Sequence, residues 1–331
     1  MEREWKGIWI KSYNGYSSMK PIQPSPYMRT VFHAPEEAQS AIVHLCALGV
    51  HQLYINGQMV DGDSWYKPAL SQYDCRAGYL DYDVKEYLKS GKNVLIVQLG
   101  NGFYNAYNNW MYTTNFVAWR GAPRMICDVE IDGKIVESSG VHWRVHSSPV
   151  AFDCHHEGED YDARLELPEC FTPDYDASNW HQPVRTVPPG GIIELENVEP
   201  RRVIQRTQPV KITQTAANRT VFDFGINCSG VVEISVKGEA GTVLTIRYGE
   251  MLDGSENVDT RNVDYCQQGE RFETDHYTLK GGDEIETWHP QFVWHGFRYV
   301  EITSSTLPVT ICSAVSLFIS TDFPVTGHFH S

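Results

Sequence analysis

The sequence predicts an all-β protein built from two antiparallel, jelly-roll-like β-sandwiches with very little helix. Apolar and polar residues alternate along segments 232–237 and 243–248, which is typical of strands with one buried face. The inward positions would be Val232, Ile234, Val236, Leu244, Ile246 and Tyr248. Asn56-Gly57 and Asp132-Gly133 each separate two strand-like runs and accept the positive φ of a tight hairpin. The gaps between runs are too short for the crossover helices that parallel strands need.

One segment carries a helical pattern. Asp83 is a suitable N-cap, Val84, Tyr87 and Leu88 follow at helical spacing, and Gly91 is a stop signal. We therefore expect a short helix between residues 83 and 91.

A domain boundary is expected near residues 185–207, where prolines and polar residues interrupt the strand pattern. The sequence then predicts a large first sandwich over 1–200 and a smaller second sandwich over 201–310. Alternation fades from about Leu317, so residues 311–331 are expected to form a tail outside both sandwiches.

The charge balance limits the partners of the chain. Lys and Arg number 27 and Asp and Glu number 42 among 331 residues, which gives a formal charge of 27 − 42 = −15. Such a chain repels nucleic acid and anionic membranes. No apolar run approaches the roughly 20 residues of a membrane span, and the N-terminus lacks the apolar core of a secretion signal. We expect a cytoplasmic location.

Cysteine and histidine spacings do not indicate a metal site. The eight cysteines are spread along the chain without a C-x-x-C pair, so free, largely buried thiols are expected rather than zinc ligands. His142 and His146 would share a face of a strand, and His155 and His156 follow. No third ligand accompanies them, which favours ordinary strand and loop histidines.

Four acidic residues cluster at Glu157, Glu159, Asp160 and Asp162. Two carboxylates about 5 to 10 Å apart can serve as acid and base on a glycosidic bond. The favoured alternative is a solvated loop whose acids bind backbone amides, Arg164 or a cation.

Aromatic and amide residues crowd the segment 101–119. Sugars present apolar ring faces and hydroxyl groups, which aromatic planes and amides match. The candidates for sugar contact are Asn101, Tyr104, Asn105, Asn108 and Trp110. The alternative is that the rings pack between sheets while the asparagines serve turns.

A second group of rings lies in the segment 288–299. Its members are Trp288, Phe292, Trp294, Phe297 and Tyr299. Their density exceeds what one small sandwich needs, so we expect them at an interface with another domain.

Together these segments resemble the N-terminal region of bacterial α-L-rhamnosidases. The matching segments of the first block are 47–63, 73–93, 99–104 and 158–164, and those of the second block are 221–252, 275–282 and 289–302. In that family, catalysis belongs to a helical (α/α)6 barrel that follows the sandwiches. Residues 320–331 resemble the approach to that barrel, which implies that 311–331 form the run-in to it. No catalytic residue of the family maps onto this chain.

The resemblance implies an accessory role. The chain would support the missing catalytic barrel, bind rhamnose-containing glycans and show no activity alone. The parent enzyme would remove terminal α-L-rhamnose from glycosides with inversion of configuration. Some relatives bind L-rhamnose with calcium, which makes calcium a candidate ligand and Glu159 and Asp160 candidate sugar contacts. Oxygen donors for calcium would be Asn101, Asn105, Asn108, Glu159 and Asp160.

Three alternatives remain open. The chain is a small complete hydrolase that uses the acids at 157–162, a pure scaffold that binds no sugar, or a similar sandwich portion of another glycoside hydrolase or an esterase. Exposed rings would also make a homo-oligomer plausible.

Overall fold

A computed structural model describes residues 3–12, 24–106, 117–264 and 271–329. The strands up to residue 162 are β1 (Ile10–Lys11), β2 (Pro26–Ala34), β3 (Ala41–Leu48), β4 (Val50–Ile55), β5 (Gln58–Val60), β6 (Ser64–Trp65), β7 (Arg76–Asp83), β8 (Gly91–Gly100), β9 (Arg124–Ile131), β10 (Lys134–Ser138), β11 (Arg144–Ser147), β12 (Val150–Cys154) and β13 (Gly158–Asp162). The later strands are β14 (Val184–Arg185), β15 (Ile192–Leu195), β16 (Arg201–Thr207), β17 (Lys211–Ala216), β18 (Arg219–Gly238), β19 (Val243–Gly249), β20 (Met251–Leu252), β21 (Val258–Asp259), β22 (Thr274–Thr278), β23 (Glu286–Trp288), β24 (His295–Ser304) and β25 (Val309–Thr321). Short 3₁₀ turns occupy Lys85–Tyr87, Ala163–Leu165 and Pro168–Phe171.

The first sandwich stacks two sheets. One has the order β14-β1-β9-β3-β7-β15 with β10 paired to β9, and the other has the order β11-β2-β8-β4-β5. Alternate residues of facing strands fill the space between them, among them the fully buried Leu45, Leu53 and Val97, together with Trp143 just before β11. The prediction of an all-β sandwich fold is confirmed. Two strand pairs are parallel rather than antiparallel, namely β15 with β7 and β13 with β22.

Both predicted hairpins are confirmed. Asn56 and Gly57 have φ values of 51° and 83° between β4 and β5, and Asp132 and Gly133 have φ values of 48° and 74° between β9 and β10. Positive φ at both central residues gives the turn the twist of the flanking strands.

The predicted helix at 83–91 is wrong. β7 continues through Asp83, which pairs with Ile42, and β8 begins at Gly91. Only a single 3₁₀ turn at Lys85–Tyr87 fits between them, and Leu88 is already extended with a ψ of 147°. Strand pairing at both ends therefore overrides the local helical spacing.

The second sandwich is one eleven-stranded sheet that curls around its own core, in the order β12-β13-β22-β19-β24-β18-β25-β16-β6 with β17 and β23 paired to β18. Strand β18 bends at Gly225, where φ is 80°. Beyond the bend, Val232, Ile234 and Val236 are fully buried, whereas Lys237 is exposed. The predicted alternation in this strand is confirmed.

The second sandwich includes strands from the first part of the chain. Strands β6, β12 and β13 precede residue 200 in sequence, yet they pair within the eleven-stranded sheet of the second sandwich. Strand β25 continues to Thr321, which pairs with Arg201. The eleven-stranded sheet therefore extends beyond residue 310, where the second sandwich was expected to end. A register shift between Val203 and Gln205 of the neighbouring β16 accompanies the loss of simple alternation near Leu317.

A shared apolar cluster joins the two sandwiches, and we call it the seam. Val50 and Trp65 from the first part of the chain pack there with Phe292 and Leu317 from the second. Gly100 allows the close approach, because a Cβ at this position would lie 2.5 Å from Phe292 Cγ. Among the described residues, no helix is long and apolar enough to span a membrane.

Candidate functional site

The predicted sugar contacts Asn101 and Asn105 lie in a buried polar cluster at the end of β8. Asn101 donates its backbone N–H to Asp153 Oδ1 at 2.7 Å and its side-chain amide to Asp153 Oδ2 at 2.9 Å. Asn105 Nδ2 donates to Asn101 Oδ1 at 2.5 Å. Burial raises the pKa of Asp153 to about 7, although hydrogen bonds from Asn101 and Gly102 oppose the shift.

Tyr104 is held by neighbouring rings. It packs edge-on against Tyr73 at 5.0 Å between ring centroids, stacks with Trp119 at 6.0 Å and lies beneath the Arg124 guanidinium. Tyr104 is 3 % exposed, Asn101 1 % and Asn105 0 %. This burial favours the alternative in which rings and asparagines pack internally. The remaining candidates, Asn108 and Trp110, lie outside the described residues.

Glu159 is fully buried in β13 rather than in the solvated loop that we expected. Its Oε2 accepts hydrogen bonds from the backbone N–H groups of Gln291 at 2.9 Å and Phe292 at 2.8 Å. Its own N–H donates to Asp275 Oδ1 at 2.8 Å. Burial raises the pKa of Glu159 well above its usual value. The strand pairing of β13 with β22 draws the acidic segment into the second sheet.

Asp160 forms a charged group with Arg271 and His276. Arg271 donates to both carboxylate oxygens at 2.6 and 2.9 Å, and His276 Nδ1 lies 2.8 Å from Oδ1. Burial acts to raise the pKa of Asp160, but these hydrogen bonds hold it below its usual value. Asp162 is similarly bound by Arg164. The acids at 159, 160 and 162 therefore serve internal contacts.

The described geometry separates two of the predicted calcium donors, Glu159 and Asp160. Successive residues of a strand point to opposite faces, so Glu159 and Asp160 contact different partners and do not converge on one ion. Across the described ranges, no three His, Cys, Asp or Glu side chains form a group suited to a metal. Calcium binding stays a prediction.

The histidines and cysteines have ordinary contacts. His142 lies 2.6 Å from Glu137 Oε1, and His155 Nδ1 lies 2.9 Å from Tyr66 Oη. In the described part of the chain seven cysteines are free thiols, and the buried ones are Cys46, Cys127, Cys154 and Cys170.

The ring cluster at 288–299 divides between core and seam. Trp288 and Phe297, predicted at an interface, lie instead in the core of the second sandwich, because strand alternation turns them inward. Phe292 and Trp294 pack in the seam. Tyr299 is partly exposed beneath the Arg298 guanidinium.

Sequence reasoning missed four polar residues around the candidates. Asp153 binds Asn101, Arg271 binds Asp160, and Asp275 binds both Glu159 and His295. Asp275 and His295 are fully buried, and His295 Nε2 lies 3.1 Å from both oxygens of Asp275. A polar residue at an inward position of a strand was the available signal, since Asp275 and Tyr277 are buried in β22 whereas His276 and Thr278 are half-buried.

The fold places this chain in the class of multi-sandwich proteins, here with two sandwiches locked along a common seam. A model described as the alpha-L-rhamnosidase N-terminal domain matches residues 36–214, and one described as the bacterial alpha-L-rhamnosidase concanavalin-like domain matches residues 213–317. The chain belongs to the bacterial α-L-rhamnosidase family.

Similar proteins are several times longer. An alpha-L-rhamnosidase of Formosa agariphila is 30 % identical over 339 residues, which cover 97 % of this chain and 34 % of the relative. The solved alpha-L-rhamnosidase of Dictyoglomus thermophilum is 29 % identical with a TM-score of 0.83, covering 96 % of this chain and 36 % of that one. A Streptomyces avermitilis alpha-L-rhamnosidase solved with L-rhamnose is 30 % identical with a TM-score of 0.82, covering 92 % and 29 %. The chain thus spans about a third of the length of each of these three relatives.

Proposed function

We propose that this chain is the accessory β-sandwich portion of an α-L-rhamnosidase, which supports a catalytic domain that removes terminal α-L-rhamnose with inversion. The observation that carries this proposal is coverage: the chain aligns over nearly all its length with only about a third of each rhamnosidase. The hydrogen bonds of Glu159 and Asp160 support it as well, because both carboxylates are already bound by neighbouring residues of this chain.

An exposed apolar surface on the second sandwich is the proposed docking site for that catalytic domain. We call it the apolar patch, and its members are Val210 (70 % exposed), Ile212 (60 %), Ile226 (62 %) and Met251 (50 %). Contacts beside the members bring them together. Val210 lies against Gly225, the residue before Ile226. Asn227, the residue after Ile226, donates a hydrogen bond to Glu250, the residue before Met251. Clustered exposed apolar side chains are typical of protein contact sites.

A hydrolysis assay tests the catalytic part of the proposal. We expect no release of p-nitrophenol from p-nitrophenyl α-L-rhamnoside by the purified chain, with the full-length Streptomyces avermitilis relative as positive control. Turnover by the chain that Glu159→Gln abolishes would instead support a small complete hydrolase.

A binding assay tests the apolar patch. The chain is mixed with the separately purified catalytic region of a relative, and complex formation is followed by analytical ultracentrifugation. We expect a complex that the double variant Ile212→Ser/Ile226→Ser weakens at least tenfold. The matched control is Ile285→Ser/Leu307→Ser, which alters two apolar residues exposed elsewhere. Failure to form a complex, or equal loss in both variants, would contradict docking at the patch. Self-association through the patch would appear in the same experiment.

The proposal further includes binding of rhamnosyl groups and of calcium by this chain, and a cytoplasmic location of the protein. Calorimetric titration with L-rhamnose, with and without calcium, distinguishes a sugar-binding module from a pure scaffold. The burial of Tyr104 supports the scaffold as second candidate. The free thiols of the described cysteines are consistent with a reducing compartment.

A further inference from the structure

A cavity of about 500 Å³ opens beside the seam. Its walls come from β4 and β5 of the first sandwich and from β16 and the segment before β24 of the second. Pockets of roughly 300–1,000 Å³ hold small molecules. The cavity therefore has the size for a small ligand and belongs to neither sandwich alone.

Strand alternation places a buried amide in this cavity. Leu53 and Ile55 of β4 point into the first core, so the neighbouring Gln52 points the other way and lines the cavity. Gln52 is 7 % exposed, and in the described part of the chain its Oε1 accepts no hydrogen bond. Gln291 also lines the cavity, and its Oε1 is likewise without a donor among the described residues. Buried amide oxygens normally have a donor, and a ligand hydroxyl would supply one.

An aromatic wall and a histidine complete the lining. Trp65 is fixed by donating its indole N–H to Val293 O at 3.2 Å, and its ring centroid lies 5.1 Å from that of His289. His289 Nδ1 lies 3.0 Å from Pro290 O, so this nitrogen donates and Nε2 is left as an acceptor. Burial lowers the pKa of His289, which keeps the ring neutral near pH 7.

The charges around the cavity are compensated. Arg202 lies 3.6 Å from Asp61 and 3.3 Å from Asp322, and Arg206 is paired with Glu233. Asp63 also lines the cavity. A site with paired cations and an added carboxylate offers little net attraction to an anion and suits a neutral ligand.

We propose that this cavity binds one neutral sugar unit, with its hydroxyls on Gln52, Gln291 and His289 and its apolar face toward Trp65. The choice of a rhamnosyl unit rests on the proposed function, whereas the site itself rests on the cavity. The sugar bridges the two sandwiches, because Gln52 and His289 belong to different ones.

Methyl NMR on the intact chain tests the site. Methyl α-L-rhamnoside is titrated into protein labelled at methionine methyl groups. Met59 lines the cavity, whereas Met251 is exposed on the apolar patch and serves as the internal control. We expect saturable shifts of the Met59 signal with no change at Met251. Saturable binding without a shift at Met59 places the sugar elsewhere and overturns the proposal.

Variants then test the two amides. Gln52→Met and Gln291→Leu keep side-chain size while removing the polar atoms, and each should weaken binding at least tenfold. Gln205→Ala, on the exposed face of β16, is the control and should bind normally. If a variant unfolds, the shift of the Met59 signal in the unaltered protein still tests whether the sugar binds in this cavity.

Other outcomes are equally informative. Shifts of Met59 with D-galacturonate but not with the rhamnoside would overturn a neutral ligand in favour of an acidic sugar. No binding of either sugar would overturn the site while leaving the accessory function to the ultracentrifugation and hydrolysis assays.

Discussion

Phe292 donates its backbone N–H to Glu159 Oε2 at 2.8 Å, and both groups are buried. This bond fixes the segment before β24 at the point where the Phe292 ring enters the seam. A residue that resembles a catalytic acid in the sequence therefore anchors, from β13, the segment that carries the Phe292 ring into the seam.

The anchoring role of Glu159 predicts a difference between two substitutions. Glu159→Gln retains an oxygen that accepts both N–H groups and should change the free energy of unfolding by less than about 1 kcal/mol. Glu159→Ala leaves two buried donors unpaired and opens a cavity, so we expect a loss of about 2–5 kcal/mol. Urea unfolding measures both. Equal losses would argue against the hydrogen bonds as the source of stability.

The seam depends on the missing side chain of Gly100. A Cβ there would lie 2.5 Å from Phe292 Cγ and 2.7 Å from Val50 Cγ2, so Gly100→Ala should cost about 1–3 kcal/mol of unfolding free energy through overpacking. Gly254→Ala is the control, because nothing lies within 4 Å of its added Cβ. A thermal melt of each variant suffices, and a Gly100→Ala protein that melts like the control would contradict the close packing.

Asp153 gives a prediction about pH. Its folded pKa is raised from 3.8 to about 7, so between these values the folded state holds a proton that the unfolded state has lost. The contribution of Asp153 to stability is thus present below pH 4 and is lost as the pH rises through 7. The stability of the native protein relative to Asp153→Asn should decrease from pH 5 to pH 7.

Urea unfolding at both pH values measures this difference. The exposed Asp83 supplies the control Asp83→Asn, for which we expect a smaller change. An increase in the stability of the native protein relative to Asp153→Asn over the same range would show that ionised Asp153 is favoured by its hydrogen bonds despite its burial.

Asp160 and Arg271 should be energetically coupled. Their side chains are each 30 % exposed and joined at 2.6 Å, so solvent screening limits the coupling to about 1 kcal/mol. A double-mutant cycle with Asp160→Asn and Arg271→Gln measures it. We expect the coupling to shrink in 1 M salt, and a coupling near zero in dilute buffer would mean that the pair does not stabilise the fold.

Local patterns in the sequence determined much of this fold. Alternation in β18 and β19 marked the inward residues, and two turn dipeptides marked their hairpins, because side-chain period and positive φ are properties of a few neighbouring residues. The family resemblance was also accessible, since it rests on contiguous segments such as 221–252.

Only the tertiary structure decided the roles of the candidate residues. Whether Glu159 contacts solvent, substrate or the backbone of Phe292 depends on a partner 133 positions away. The spacing of residues near Glu159 does not predict that contact. The helix predicted at 83–91 was replaced by a 3₁₀ turn for the same reason, since pairing of β7 and β8 with distant strands fixed its ends. The cavity containing Gln52 and His289 likewise exists only because the two sandwiches meet, which no local pattern specifies.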